Sequence, residues 1–330
     1  MPFRTAVIGV GHLGRQHARI HATLASEGLS QFVSVCDLDE KLAHEVSSES
    51  KTEWTTDWRD LPGKVDAVSL AVPTESHCDI ACELLSRGIH VLVEKPISRT
   101  LGEADRMIAA AQAGKAVLQV GHLERFNPAM VALRPHVRKP VYFEIHRVGA
   151  FTARSLDIDV VLDLMIHDLD IVQWLVGEEV PVTDIRAVGI AILTNKVDAA
   201  NARLEFASGA VANITASRVG TERIRKMRFF QPHDYIAIDY TTKRASISSL
   251  APPTASGAWP GVHVKNLDVV DIEPLRAETV AFLEAAREGK PAAVSGLDGR
   301  NALGLALRAL ERIEEHAQHP GVTALSEAGR

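Results

Sequence analysis

Short apolar runs alternate with amphipathic stretches through about residue 121, and no other feature restricts the fold so tightly. The runs are Thr5–Gly9, Phe32–Asp37, Ala67–Val72, His90–Val93 and Val117–Gly121, with helical spacing over Leu13–Leu24, His77–Ser86 and Leu101–Ala113 between them. Strand and helix repeated in this order predict a parallel sheet covered on both faces. The runs are nearly unbroken because strands buried on two sides have no polar face to offer water. Beyond residue 121 the pattern changes. A helix is expected over Asn127–Pro135, a strand over Val141–Val148 and a helix over Val160–Val176. From about 183 the segments alternate apolar and polar residues, and Ala200–Phe206 and Val211–Arg218 read as a hairpin around Ala207-Ser208-Gly209. Leu250–Gly261 reads as a loop, and helices over Ala277–Glu288 and Gly299–His316 follow, with a frayed tail after Gln318. The expectation is therefore an α/β chain. Residues 1–121 form a doubly wound parallel sheet, and residues 122–330 an α+β domain with a large, mostly antiparallel open sheet.

At 330 residues the chain is long enough for two cores. A net charge of −6 with signs intermixed gives no pull towards nucleic acid. Cys36, Cys78 and Cys82 are too few for a disulfide framework, and no further ligands stand at metal-site spacing, so no metal is expected. The first strand begins almost at once, without a basic segment and a long apolar segment before it, and no run could span a bilayer. A soluble, cytoplasmic protein is expected.

The first turn carries the chemistry. Gly9-Val10-Gly11-His12-Leu13-Gly14 follows a strand and opens a helix. Gly9 allows the tight turn, Gly11 a close approach of backbone to a pyrophosphate, and Gly14 close packing of helix on strand. The helix N-terminus then faces the phosphates. Asp37 closes the second strand and suits the hydroxyls of an adenosine ribose; Leu38-Asp39-Glu40 follows it without a cation, which favours NAD over NADP. Ligands bind where strands of such a sheet end, and there stand Val72-Pro73-Thr74-Glu75-Ser76-His77 and Glu94-Lys95-Pro96.

The glycine motif, Ala71-Val72-Pro73-Thr74-x-x-His77, Glu94-Lys95-Pro96, Asp163-x-x-x-His167-Asp168 and the late segments Phe282-Leu283 and Asn301-Ala302-Leu303 together resemble the Gfo/Idh/MocA oxidoreductases over nearly the whole chain. The resemblance implies a Rossmann domain that binds the dinucleotide through Gly9, Gly11, His12, Leu13, Gly14, Asp37, Val72, Pro73, Thr74, His77, Glu94 and Lys95. It also implies a catalytic trio of Lys95, Asp163 and His167. Residues i and i+4 share a helix face, an imidazole suits general-base duty, and a lysine polarises the oxygen whose carbon loses hydride. Gly121–Pro128, Asp163–Asp170 and Arg225–Gln231 are similar to a narrower branch, the bacterial UDP-N-acetylglucosamine 3-dehydrogenases, in which a 3-keto nucleotide sugar passes to an aminotransferase in lipid A biosynthesis. The stretch Leu156–Leu162 is bulkier and more acidic than the glycines many relatives carry there, implying a differently shaped pocket. For a diphosphate-bearing substrate, Arg125, Asn127, Arg147 and Arg154 are candidate contacts, with Arg218 beside them. The alternatives are a free sugar, an inositol or another polyol as substrate, or a regulator that binds dinucleotide without chemistry. A homo-oligomer, dimer or tetramer, is expected through the open sheet face.

Overall fold

The computed structural model describes residues 3–150, 158–251 and 261–319. Contacts group the chain into two units. One comprises residues through Phe126 together with Ile272–Leu303, the other Asn127–Asp271 together with residues from Gly304 onward. This differs from the expected cut at 121/122 in one substantial way: the chain returns to its first unit after finishing the second sheet.

In the first unit, β1 (Arg4–Ile8), β2 (Gln31–Cys36), β3 (Glu53–Thr55), β4 (Ala67–Leu70), β5 (His90–Glu94) and β6 (Leu118–Gly121) form one sheet in the order 3-2-1-4-5-6. Every pairing is parallel, as in a doubly wound dinucleotide fold. The order reverses between β1 and β4, so the turns after these two strands flank the switch point. Helices α1 (His12–Ser26), α2 (Glu40–Ser50), α3 (His77–Ser86) and α4 (Leu101–Gly114) make the crossovers. The sixth strand, β3, has no counterpart among the expected runs; it is three residues long with two of them exposed, so it leaves no apolar signature. Helix α7 (Pro274–Glu288) belongs here because Leu275, Phe282 and Leu283 pack on Ile20, Leu24 and Leu92.

The second unit is built on eight strands: β7 (Tyr142–Ala150), β8 (Val182–Ile190), β9 (Ala199–Phe206), β10 (Val211–Gly220), β11 (Ile224–Gln231), β12 (Asp234–Asp239), β13 (Arg244–Leu250) and β14 (Val262–Asn266). Their order is 14-13-12-11-7-10-9-8, antiparallel throughout except where β7 pairs with β10. Alternation along β10 sends Ala212, Ile214 and Ala216 into the core and leaves Asn213 and Thr215 partly open, but Ser217, which the alternation puts on the same open face, is buried. Gly209 adopts φ +85° in the hairpin turn, and its N–H donates to the Phe206 carbonyl. Helices α5 (Pro128–Leu133) and α6 (Ile166–Val176) follow the expected segments in shortened form, and α8 (Gly296–Ala317) closes the described chain. Most of the expected loop at 250–261 lies outside the described residues.

Candidate active site

The three glycines of the first turn answer separate demands. Gly9 sits at φ +80°, and a Cβ there would lie 2.7 Å from Val72 Cγ1 and 2.8 Å from the Ala71 carbonyl oxygen. A Cβ on Gly14 would lie 1.8 Å from the Gly9 carbonyl oxygen, so helix and strand can approach this closely only over glycine. At Gly11 no heavy atom lies within 4 Å of a Cβ position, and the residue is exposed. Gly11 also caps α1 without a side-chain hydrogen bond. The turn therefore presents open backbone and a helix N-terminus where a dinucleotide pyrophosphate would come.

Asp37, half-buried at the end of β2, accepts the N–H of Val10 at 2.7 Å and of Asp39 at 2.9 Å. It thereby ties the glycine turn to its neighbouring strand end. His77 makes a second tie. Its Nε2 lies 2.9 Å from the Val72 carbonyl, and its Nδ1 lies 3.1 and 3.3 Å from those of Pro96 and Ile97. Burial pulls this imidazole below its usual range, against the pull of the three carbonyls. Both ring nitrogens thus face backbone carbonyls, with one N–H to donate in the neutral ring, and His77 sits between the turns that carry Val72-Pro73-Thr74 and Lys95-Pro96. His12 and Leu13 open α1, exposed beside Gly11.

Glu94 ends β5 and Lys95 follows it, half-buried. The Glu94 carboxylate receives His17 Nε2 at 2.8 Å and the Lys95 N–H at 3.2 Å. Burial raises this carboxyl, but His17 and Lys95 outweigh it and the net shift is downward. A Cβ on Gly121 would come within 3.0 Å of Glu94 Oε2, so the neighbouring strand makes room for the carboxylate.

In the second unit, the expected regular helix over Val160–Val176 begins instead with a wide π turn over Val161–Met165, closed by the Ile166 N–H on the Val161 carbonyl. Asp163 lies in that turn and His167 in the first turn of α6, both half-buried. Such turns recur at functional sites because they re-aim side chains without ending the helix. The approach is anchored. Asp159 accepts the Val197 N–H at 2.8 Å, and Asp198 accepts three N–H groups from Ile192, Leu193 and Thr194 at 2.7–2.9 Å. Burial raises the Asp198 carboxyl, but those donors prevail and bring it down to about 2.

The candidate substrate contacts are engaged with the protein itself. Arg147 is 2% exposed, and its guanidinium grips Asp168 through two hydrogen bonds of 2.7 Å. Arg125, also buried, lies 3.3 Å from Asp298. Asn127 caps α5 by accepting the Ala129 N–H, and its Nδ2 donates to the Tyr240 carbonyl. Arg218 donates to the Ile158 carbonyl and stands 3.6 Å from Asp198. Arg154 lies outside the described residues. A guanidinium fork fits a buried carboxylate as well as a phosphate, and spacing along a chain does not separate the two. The sequence reading also passed over His17 and Asp198, and quoted Asp168 in a motif without its pairing to Arg147. Of the two residues missed, only His17 left a signal, three residues after Gly14 and so on the same inward face of α1.

Among the described residues no group of three or more His, Cys, Asp or Glu is arranged to hold a metal, and no helix is long and apolar enough to cross a membrane. Residues 3–122 match the oxidoreductase family with an NAD-binding Rossmann fold, GFO/IDH/MocA, and residues 103–230 match a GFO/IDH/MocA C-terminal domain. The chain is 40% identical to UDP-N-acetylglucosamine 3-dehydrogenase of Acidithiobacillus ferrooxidans, over 96% of this chain and 98% of that one. A solved structure of that enzyme superposes with a TM-score of 0.89 at 38% identity, covering 96% of this chain and 100% of the other. Scyllo-inositol 2-dehydrogenase of Bacillus subtilis is 32% identical over 65% of this chain and 67% of its own. Levoglucosan dehydrogenase, solved with NADH and levoglucosan, shares the fold at a TM-score of 0.84 and 18% identity, over 96% and 98% of the two chains. The chain thus belongs to the GFO/IDH/MocA family of oxidoreductases, with an NAD-binding Rossmann domain and that family's C-terminal domain.

Proposed function

We propose that the protein oxidises the 3-hydroxyl of UDP-N-acetylglucosamine to a ketone with NAD. The observation that carries the reading is the 40% identity to an enzyme of that name, sustained over 96% of the chain. The inositol dehydrogenase match is weaker and covers less of the chain. Gly9, Gly11 and Gly14 would cradle the pyrophosphate, and the clear space at Gly11 fits this role. Asp37 would accept the ribose hydroxyls, and with Asp39 and Glu40 close by it disfavours a 2′-phosphate, so the reading takes NAD over NADP. When bound, the nicotinamide accepts the hydride from the sugar carbon. His167 takes the hydroxyl proton, Asp163 orients the hydroxyl and the imidazole, and the Lys95 ammonium stabilises negative charge growing on the oxygen. The alcohol loses one hydride and one proton, and a ketone remains. Its 3-keto nucleotide sugar is a fit substrate for an aminotransferase, which would serve lipid A assembly. The open face of the second sheet, with Phe230 at 41% and Val264 at 58% exposed, suits a second copy of the chain.

The test follows NADH absorbance with UDP-N-acetylglucosamine and a carbonyl trap, because oxidation of a secondary alcohol is uphill near neutral pH. Lys95→Ala, Asp163→Ala and His167→Ala should each lower kcat by about 10²–10⁴, and NAD should outperform NADP. Turnover of free inositols or sugars in place of the nucleotide sugar would overturn the substrate assignment.

A further inference from the structure

Helix α7 presents Leu275, Phe282 and Leu283 to the core, and on the same buried face it carries Glu278. This side chain is 0% exposed, and neither carboxyl oxygen has a hydrogen-bond partner. A buried acid with both oxygens unpaired is rare and costs about 1–3 kcal/mol even when neutral, so its place in the fold calls for a reason. Its surroundings supply one. Gln119 of β6 donates to the Glu278 backbone carbonyl at 3.2 Å. Glu94 acts on Glu278 from β5, and Glu94 in turn receives His17 of α1 and the Lys95 N–H. Burial, and then the charge of Glu94, push the Glu278 carboxyl well above the usual range, while Glu94 is held below it. Two carboxyls in one buried cluster are thus driven apart, one to the acid and one to the anion.

We propose that Glu278 is a positioning residue for Lys95: buried with both carboxyl oxygens unpaired on the helix that packs against β5, it leaves Glu94 alone to grip the Lys95 backbone. The proposal rests on the reading that Lys95 works at the reacting hydroxyl. If Glu278 lost its proton, a second buried charge with no donor would face Glu94, and the Glu94–Lys95 turn would shift to relieve it. The titratable groups on the elements packed around α7 are His90 and Glu94 of β5 with Lys95 after it, His12, Arg15, His17, Arg19 and His21 on α1, and His122, Glu124 and Arg125 after β6. Arg125 lies beside Asp298, and at the helix ends Glu273 pairs with Arg19 and Arg276 with Glu27. A misplacement of about 1 Å in a catalytic group costs up to about a hundredfold in rate, so a cluster of this kind can matter without touching substrate.

Infrared difference spectra of the whole protein, wild type against Glu278→Gln, read the proton directly. A protonated-carboxyl band at neutral pH that vanishes in Glu278→Gln is expected; its absence from the wild type overturns the proposal. Kinetics then read the positioning. Glu278→Leu should lower kcat about tenfold, or about 1.4 kcal/mol, with the KM for NAD held, and the neutral hydrogen-bonding Gln should recover most of that loss. Equal kcat in the Leu variant and wild type, or a Gln variant no better than Leu, would also overturn it. A wild type inert towards every sugar would instead refute the functional reading, and the infrared band would still decide whether Glu278 keeps its proton.

Discussion

Gly11 and Gly14 sit three residues apart in one motif, yet they fail for opposite reasons when given a methyl group. At Gly14 a Cβ would meet the Gly9 carbonyl at 1.8 Å, so Gly14→Ala must push α1 off β1 and should cost about 3 kcal/mol or more. At Gly11 the space is open and the backbone is extended, so Gly11→Ala should leave stability within about 0.5 kcal/mol. Its NAD affinity should nonetheless fall about tenfold, because the methyl occupies the approach of the pyrophosphate. Thermal unfolding and NAD titration of the two variants separate these effects; equal losses of stability would contradict the division of labour. The motif residues were legible in the sequence because glycine at fixed spacing has few other uses. What Asp37 and His77 do in the fold was not legible, since a carboxylate or imidazole that ties two turns together looks the same in a sequence as one that meets a ligand.

Among the elements, the sequence pattern located the strands and helices it bounded within a few residues, because burial imposes its period on them. It gave no bounds for β8 and β11 to β14 within the alternating region, and it missed α2, with three buried residues among eleven, β3, too short and open to carry a period, and the π turn before α6, whose extra residue leaves no compositional trace. The four-residue step from Asp163 to His167 therefore spans two kinds of helical turn. Next to His167, Asp168 is locked to Arg147 on β7, both nearly fully buried. Arg147→Met would strand the Asp168 charge and should destabilise by about 3–5 kcal/mol. The double variant Arg147→Met/Asp168→Leu should regain much of that loss. Chemical denaturation of the single and double variants checks this, and additive losses would show that the pair is not a unit. Helix α1 carries a different hidden element of the design. His21 is fully buried, 2.9 Å from the Ser69 hydroxyl and stacked on Phe32. Burial, aided by His17, pulls it from 6.5 down to about 3. Between those values the unfolded chain takes up a proton that the folded chain refuses, so this stability is complete above pH 6.5 and is lost as pH falls towards 3. His21→Gln should therefore flatten the fall in melting temperature between pH 7 and pH 4, and an unchanged slope would show that His21 does not set it.

At the scale of the molecule, the chain order conceals its organisation. Residues 272–303 return to the first unit, which the sequence could not announce because an amphipathic helix shows that it packs but not on what. That return is what brings Glu278 to the strand end bearing Glu94 and Lys95. The family itself was readable from a few strand-end motifs, whereas the substrate depends on side chains that spacing alone does not resolve. The central claim is a hydride transfer from C3 of a nucleotide sugar to NAD, and the most direct measurement supplies that hydride as deuterium. UDP-N-acetylglucosamine deuterated at C3, incubated with the protein, NAD and a carbonyl trap, should yield reduced cofactor carrying the deuterium, with slowed turnover relative to the protiated sugar. Reduced cofactor without deuterium, or no reduction of NAD at all while inositols reduce it, would contradict the account.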